Sequence, residues 1–166
     1  MAAAADAVTI RVATAADVPS IHRLLTELAA ATGLSHKFFS SEDDLRRHGF
    51  GVAPLFESLL AVDRAGAAVG LALFFYSYSS WRGEPGVYLQ DLVVSRAARG
   101  QGLGRGLLRA TARHASRRGV THLRLAVEHD NVRAIAFYES LGLRQCQNEC
   151  LFEASDRAFH SLAAAS

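Results

Sequence analysis

The period of the hydrophobic positions changes along the chain. Ile21, Leu24, Leu25 and Leu28 recur at three- and four-residue spacing, as on one face of a helix. That spacing predicts a helix from Ala15 to about Ala31, with Thr14 as N-cap and Asp17 in a box-like position three residues later. Ser41 to His48 predicts a shorter helix whose acidic residues fall in the first turn, where the helix dipole favours them. A first strand, Val8 to Val12, precedes both. The pattern then shortens to that of strands. Leu59 to Val62 is expected to pair with Val69 to Tyr76 across a turn at Asp63–Ala68, and the second run, apolar on both alternating faces, reads as a central strand. Val87 to Val94 is another strand, interrupted by Gln90 and Asp91. Adjacent strand residues point to opposite faces, so these two are not simple surface positions. A helix from about Gly102 to Arg118, a strand at His122–Val127 and a helix at Asn131–Leu141 capped by Asn131 follow. Short strands at Leu143–Gln147 and Glu149–Glu153 complete an α/β chain around one mixed sheet.

Length and composition narrow the class. The 166 residues make one domain, 1–166, with residues 1–7 and 163–166 as loose ends. Half the residues are apolar and a fifth charged, which excludes a disordered chain. The apolar run Ala67 to Tyr76 falls far short of a membrane span, so no membrane partner is expected. The N-terminal alanines, broken by Asp6, lack the basic start of a signal peptide. Cys146 and Cys150 make no disulfide framework, and the cytoplasm is the default location. The seven histidines show no His-x-x-x-His spacing and neither cysteine has a histidine at ligand spacing, so no metal is expected.

The net charge of +2 hides an asymmetry. Residues 95–133 carry nine arginines against Glu128 and Asp130. Such a segment attracts anions, either nucleic acid or a phosphorylated cofactor. Glycines in the same segment favour the cofactor. Arg99-Gly100-Gln101-Gly102-Leu103-Gly104 joins a strand to a helix. Glycines let backbone N–H groups turn toward a ligand, and the helix start adds positive partial charge, which suits a pyrophosphate. A Walker loop would need Lys followed by Ser or Thr, and a dinucleotide fingerprint would need a small residue where Arg105 stands. The loop fits neither, and a turn without a ligand remains the alternative. Arg105, Arg109, Arg113 and Arg117 form a stripe along one helical face that is either solvated or meets phosphates at its start.

These residues resemble those of a known family. Val87 to Gly106, with Arg99, Gly102 and Gly104 as Arg-x-x-Gly-x-Gly, resembles the core motif of the GNAT N-acetyltransferases. Asn131 to Tyr138, ending near Gly142, resembles the second cofactor motif. Ile10 to Asp17, Gly49-Phe50-Gly51 and Tyr78 to Gly83 are similar to the spermidine/spermine and thialysine acetyltransferase branch. The resemblance covers residues 8 to 160. It implies a mostly antiparallel central sheet flanked by helices, with a splayed parallel strand pair holding the cofactor. It also implies acetyl-CoA as donor, a small primary amine as acceptor, and a homodimer. Backbone groups of Leu92, Val93 and Val94 would then hold the acetyl and pantetheine parts. Arg99, Gly100, Gln101, Gly102, Leu103, Gly104 and Arg105 would hold the pyrophosphate, and Asn131, Arg133 and Ala134 would line the other wall. Tyr138 matches the tyrosine that protonates the leaving thiolate.

The chemistry is compatible with these residue types. A lysine-like amine has a pKa near 10.4, so about one in 2,500 is neutral at pH 7, and a proton acceptor is needed. A tyrosine, protonated at pH 7, can donate to the thiolate. Asn131, Ala134 or Ile135, and Tyr138 share one helical face. The family has a Glu-Asp pair before the loop where this chain has Gln90-Asp91. Glutamine takes no proton at pH 7. Asp91 has a structural and a basic reading, the latter requiring a bulge to turn it to the other face. Thr32 and Ser79 stand where two acidic polyamine-binding positions are expected, which favours a smaller or less charged amine. Trp81 reads as a wall of the acceptor pocket or as a subunit contact. Gln90, Asp91, Trp81 and Thr32 are thus the candidate acceptor residues. A protein lysine or N-terminal acetyltransferase, a non-catalytic acyl-CoA-binding module and a nucleic-acid binder are the competing readings, the last disfavoured by the glycines.

Overall fold

The computed structural model describes residues 8–147 and 149–164. They divide into two compact units, one reaching to Ala126 and the other starting at Val127.

The first unit is built on a five-stranded sheet in the order β1-β2-β3-β4-β5. Its strands are β1 (Thr9–Val12), β2 (Glu57–Val62), β3 (Ala68–Ser79), β4 (Glu84–Val94) and β5 (His122–Arg124). The first three pairings are antiparallel and β4–β5 is parallel. Helices α1 (Val18–Ala31) and α2 (Glu42–Phe50) follow β1, and α3 (Leu103–Ser116) joins β4 to β5. The mixed sheet expected from the sequence is therefore present, with a mostly antiparallel pattern.

One face of the sheet packs on α1 and α2. Leu71, Leu73 and Val93 share a buried cluster with Ile21, Leu24, Leu25 and Leu45, so the periodic residues of α1 do face the core. The start of α1 is set by Asp17, whose carboxylate accepts the Thr14 N–H at 2.7 Å and binds Arg11 through both oxygens at 2.7 and 2.8 Å. These bonds hold the Asp17 carboxyl well below the usual range, Arg11 being the largest cause. The acidic first turn of α2 is capped by Ser41, whose hydroxyl accepts from the Asp44 N–H at 3.1 Å.

The other face carries α3. Leu107 lies over Gly70, where a Cβ would come within 3.0 Å of its Cδ1. His114 packs its ring on the fully buried Phe74 and meets Glu57 at 2.7 Å, and Arg118 binds the same carboxylate at 2.7 Å. Arg105, Arg109, Arg113 and Arg117 are all exposed, as a solvated stripe requires.

The second unit contains α4 (Val132–Glu139) and α5 (Asp156–Ala164). Several expectations change here. The described residues of Leu143–Gln147 and Glu149–Glu153 form no strand. Leu151 and Phe152 are exposed, and among the described residues no strand pairs with these segments. The strand expected at His122–Val127 stops at Arg124, where its pairing with β4 ends. Residues 163–164, expected as a loose end, belong to α5, while 1–7 and 165–166 lie outside the described residues.

Candidate active site

The chemistry-bearing residues of the first unit collect along β4 and the turn that leaves it. Parallel pairing covers Gly86↔His122, Val87↔Leu123 and Tyr88↔Arg124. Beyond Tyr88, no strand of the described residues pairs with β4 on that side. Leu92, Val93 and Val94 therefore keep β3 on one edge and present backbone groups on the other.

The chain leaves β4 through Ser95 and a 3-10 turn, Arg96–Ala98. Arg99 folds back, its Nε donating to the Val94 carbonyl at 3.0 Å. Gly100 and Gly102 then take left-handed conformations, φ +81° and +76°, that other residues rarely adopt. A Cβ at either would meet nothing within 4 Å, so the backbone conformation demands glycine there and the surface above is open. Gly102 caps α3, and Gly106 is the residue whose N–H bonds back to it, at 2.9 Å. The N–H groups of Leu103, Gly104 and Arg105 thus lie in the first turn, where they lack intrahelical partners. No acidic residue occupies that turn. Oriented N–H groups, a helix start and nearby arginines fit a pyrophosphate.

Gln90 and Asp91 occupy a β-bulge. The register runs Leu73↔Asp91 and then Phe74↔Leu89, leaving Gln90 as the extra residue. Leu89 shares the α3 face with Phe74. Asp91 shares the α1–α2 face with Leu73 and Val93. Burial pushes the Asp91 carboxyl up to about 6, while Gln90 is exposed. Next to Asp91 on the same face lie Phe75 and Tyr88, stacked at 5.1 Å between ring centroids. No sequence pattern singled out this aromatic pair, because a register shift cannot be seen in one strand.

The other acceptor candidates lie apart. Trp81 is fully exposed in the β3–β4 turn, at the end of β4 remote from the glycines. Thr32 ends α1, exposed, its hydroxyl donating to the Leu28 carbonyl at 3.0 Å. The carboxylate of α1, Glu27, touches the β4 exit directly and carries no local signal of that role, since its partner Ser95 is 68 residues away.

The second unit carries Asn131, Arg133, Ala134 and Tyr138 on and before α4. Asn131 is the N-cap, its side-chain oxygen accepting the Ala134 N–H at 3.1 Å. Tyr138 is half-buried, its ring 5.1 Å from that of Phe137. Leu143 N–H closes on the Tyr138 carbonyl at 3.2 Å as the chain turns through Gly142, φ +87°.

The chain is similar to several known proteins. The chain is 38% identical over 142 residues to a thialysine N-epsilon-acetyltransferase of Bos taurus, covering 81% of this chain and 83% of that one. It is 33% identical over 150 residues to spermidine/spermine N(1)-acetyltransferase-like protein 1 of Homo sapiens, covering 87% of this chain and 21% of that protein. An integron cassette protein from the mobile metagenome of V. cholerae shares the fold with a TM-score of 0.80 at 22% identity, over 95% of this chain and 98% of that one. The model of the acetyltransferase (GNAT) family matches residues 20–143. By the span of that match and the identity to its relatives, the chain belongs to the GNAT family of acetyltransferases.

Proposed function

We infer that this protein transfers acetyl from acetyl-CoA directly to the nitrogen of a small primary amine. The observation that carries the reading is the exit of β4. There two left-handed glycines and an acid-free helix start follow a strand edge that no strand of the described residues pairs beyond Tyr88, in a chain of this family. Gly100 to Arg105 would hold the pyrophosphate, with Arg99 bracing the turn. Leu92, Val93 and Val94 would hold the pantetheine arm by backbone bonds, and Asn131, Arg133 and Ala134 would contribute from α4.

When bound, acetyl-CoA supplies an activated acetyl group as a thioester. The amine nitrogen forms a C–N bond to the acetyl carbon as the C–S bond breaks. One proton must leave the nitrogen and one must reach the sulfur. Asp91 is the proton acceptor in this reading, directly or through water, because the bulge separates it from the Leu89 face and burial makes it more basic. Tyr138 is the donor to sulfur. The acceptor is a lysine-like amine, in line with the relatives named for thialysine. Neutral Thr32, Ser79 and Gln90 favour it over a polyamine.

The test follows CoA thiol release with spermidine, putrescine, lysine, thialysine, simple monoamines and a lysine peptide. The expected result is preferred turnover of a lysine-like amine, reduced by about 10²-fold or more in Tyr138→Phe. CoA binding without turnover of any amine would favour a binding module, and preference for the peptide a protein acetyltransferase.

A further inference from the structure

Glu27 lies in α1, 68 residues before Ser95 in sequence, yet its carboxylate is aimed at the exit of β4. Oε2 accepts the Ser95 hydroxyl at 2.8 Å, and Oε1 accepts the Arg96 N–H at 2.8 Å. Arg23, one turn earlier, stands 3.7 Å from Oε2 and also donates to the Ala68 carbonyl at the start of β3. Ser95 is held from a second side, its N–H bonding the Val69 carbonyl at 2.9 Å. Arg99 closes the corner by its bond to Val94 and adds positive charge near Glu27. The two hydrogen bonds from Arg96 and Ser95 hold the Glu27 carboxyl below its ordinary value, so it is ionised at neutral pH.

The arrangement has a consequence for binding. Gly100 and Gly102 are conformationally free residues and, by themselves, cost much entropy to hold in a ligand-ready shape. The chain four residues before Gly100 is fixed by a charged acceptor on a helix that is itself anchored in the core by Leu24, Leu25 and Leu28. Ordering the entry to the loop in advance lowers what the ligand must supply on binding.

We propose that Glu27 is a positioning residue for the cofactor loop: by gripping Ser95 and the Arg96 N–H, it presets Arg99–Arg105 to receive the pyrophosphate of CoA. This rests on the reading of that loop as the CoA site. Glu27 acts through Ser95 and Arg96.

The experiment measures CoA binding by calorimetry and amide hydrogen exchange without ligand, for wild type, Glu27→Ala, Glu27→Gln and Ser95→Ala. Glu27→Ala is expected to raise the CoA Kd by about tenfold or more, the size of a lost charge-assisted hydrogen bond, and to speed exchange at Arg96 through Gly104. The amine KM should stay within about twofold, since the acceptor does not use these bonds. Glu27→Gln keeps an oxygen for the Arg96 N–H and is expected to recover part of the affinity. A folded Glu27→Ala protein with wild-type Kd and wild-type exchange would overturn the proposal. If Glu27→Ala does not fold, Glu27→Gln and Ser95→Ala decide: weaker CoA binding in either supports it, and unchanged binding in both overturns it. Wild-type protein that binds no CoA would instead overturn the assignment of the loop, while faster exchange in the variants would still report the grip of Glu27.

Discussion

Asp91 stands across from Leu73 on β3, although Leu89, two residues before it, stands across from Phe74. In a regular strand, residues two apart share a face. The extra residue, Gln90, breaks that rule and sends the carboxylate to the side covered by α1 and α2 while Leu89 stays under α3. A polar pair that looks misplaced in an apolar strand is thus a device that turns one side chain.

That device costs stability. Burial raises the Asp91 pKa from 3.8 to about 6. The folded state therefore keeps the proton longer than the unfolded chain, and ionisation destabilises the fold. The penalty is absent below pH 4, grows between pH 4 and 6, and is complete above 6. Asp91→Asn, which cannot ionise, should gain about 2–3 kcal/mol relative to wild type between pH 4 and pH 7. Denaturant unfolding at both pH values checks this. The same variant should lose the rising limb of kcat/KM near pH 6 and about 10²-fold in rate at pH 7.

Much of this frame is legible in the sequence. The three- and four-residue spacing marked α1, short apolar runs marked β2 to β4, and the glycines marked the turn into α3, because each is a local pattern that backbone geometry enforces. What was illegible is non-local. The bulge at Gln90 exists only relative to β3. Glu27 looks like an ordinary exposed helix position until Ser95 is brought beside it. The strands expected at Leu143–Gln147 and Glu149–Glu153 show the converse error, since their composition suits a strand but no strand among the described residues pairs with them.

Gly102→Ala tests the loop conformation. Its φ of +76° disfavours any side chain, and the space above it is open, so strain alone should cost about 1 kcal/mol. Gly66, φ +82° in the β2–β3 turn with equally open surroundings, is the control. Both alanine variants should lose similar stability, while only Gly102→Ala should weaken CoA binding, by several-fold. Equal CoA affinity in the two would remove the loop from the binding site.

Arg11 and Asp17 set an acid limit on stability. The depressed Asp17 pKa means that the ion pair stabilises the fold fully above pH 4 and is lost as pH falls further, when the folded carboxylate must also protonate. Arg11 is partly exposed, so solvent screening reduces its worth. Asp17→Asn should cost about 1–2 kcal/mol at pH 7. The gap to wild type should narrow steadily below pH 4, as thermal melts across pH 2 to 7 would show.

Gln90→Glu addresses acceptor choice. Residue 90 is exposed at the bulge and adjacent in sequence to Asp91, so a carboxylate here adds negative charge without core disruption. A dicationic amine gains more from that charge than a monoamine. The KM for putrescine should therefore fall by about two- to fivefold while that for a monoamine changes little, and the gain should fade at high salt as screening shortens the reach of an exposed charge. A second carboxylate also disfavours ionisation of Asp91, so the rising limb of the pH profile should move upward. Parallel KM measurements at low and high salt, with a pH profile for each protein, separate these effects. If putrescine gains nothing and the limb stays in place, the bulge does not face the acceptor.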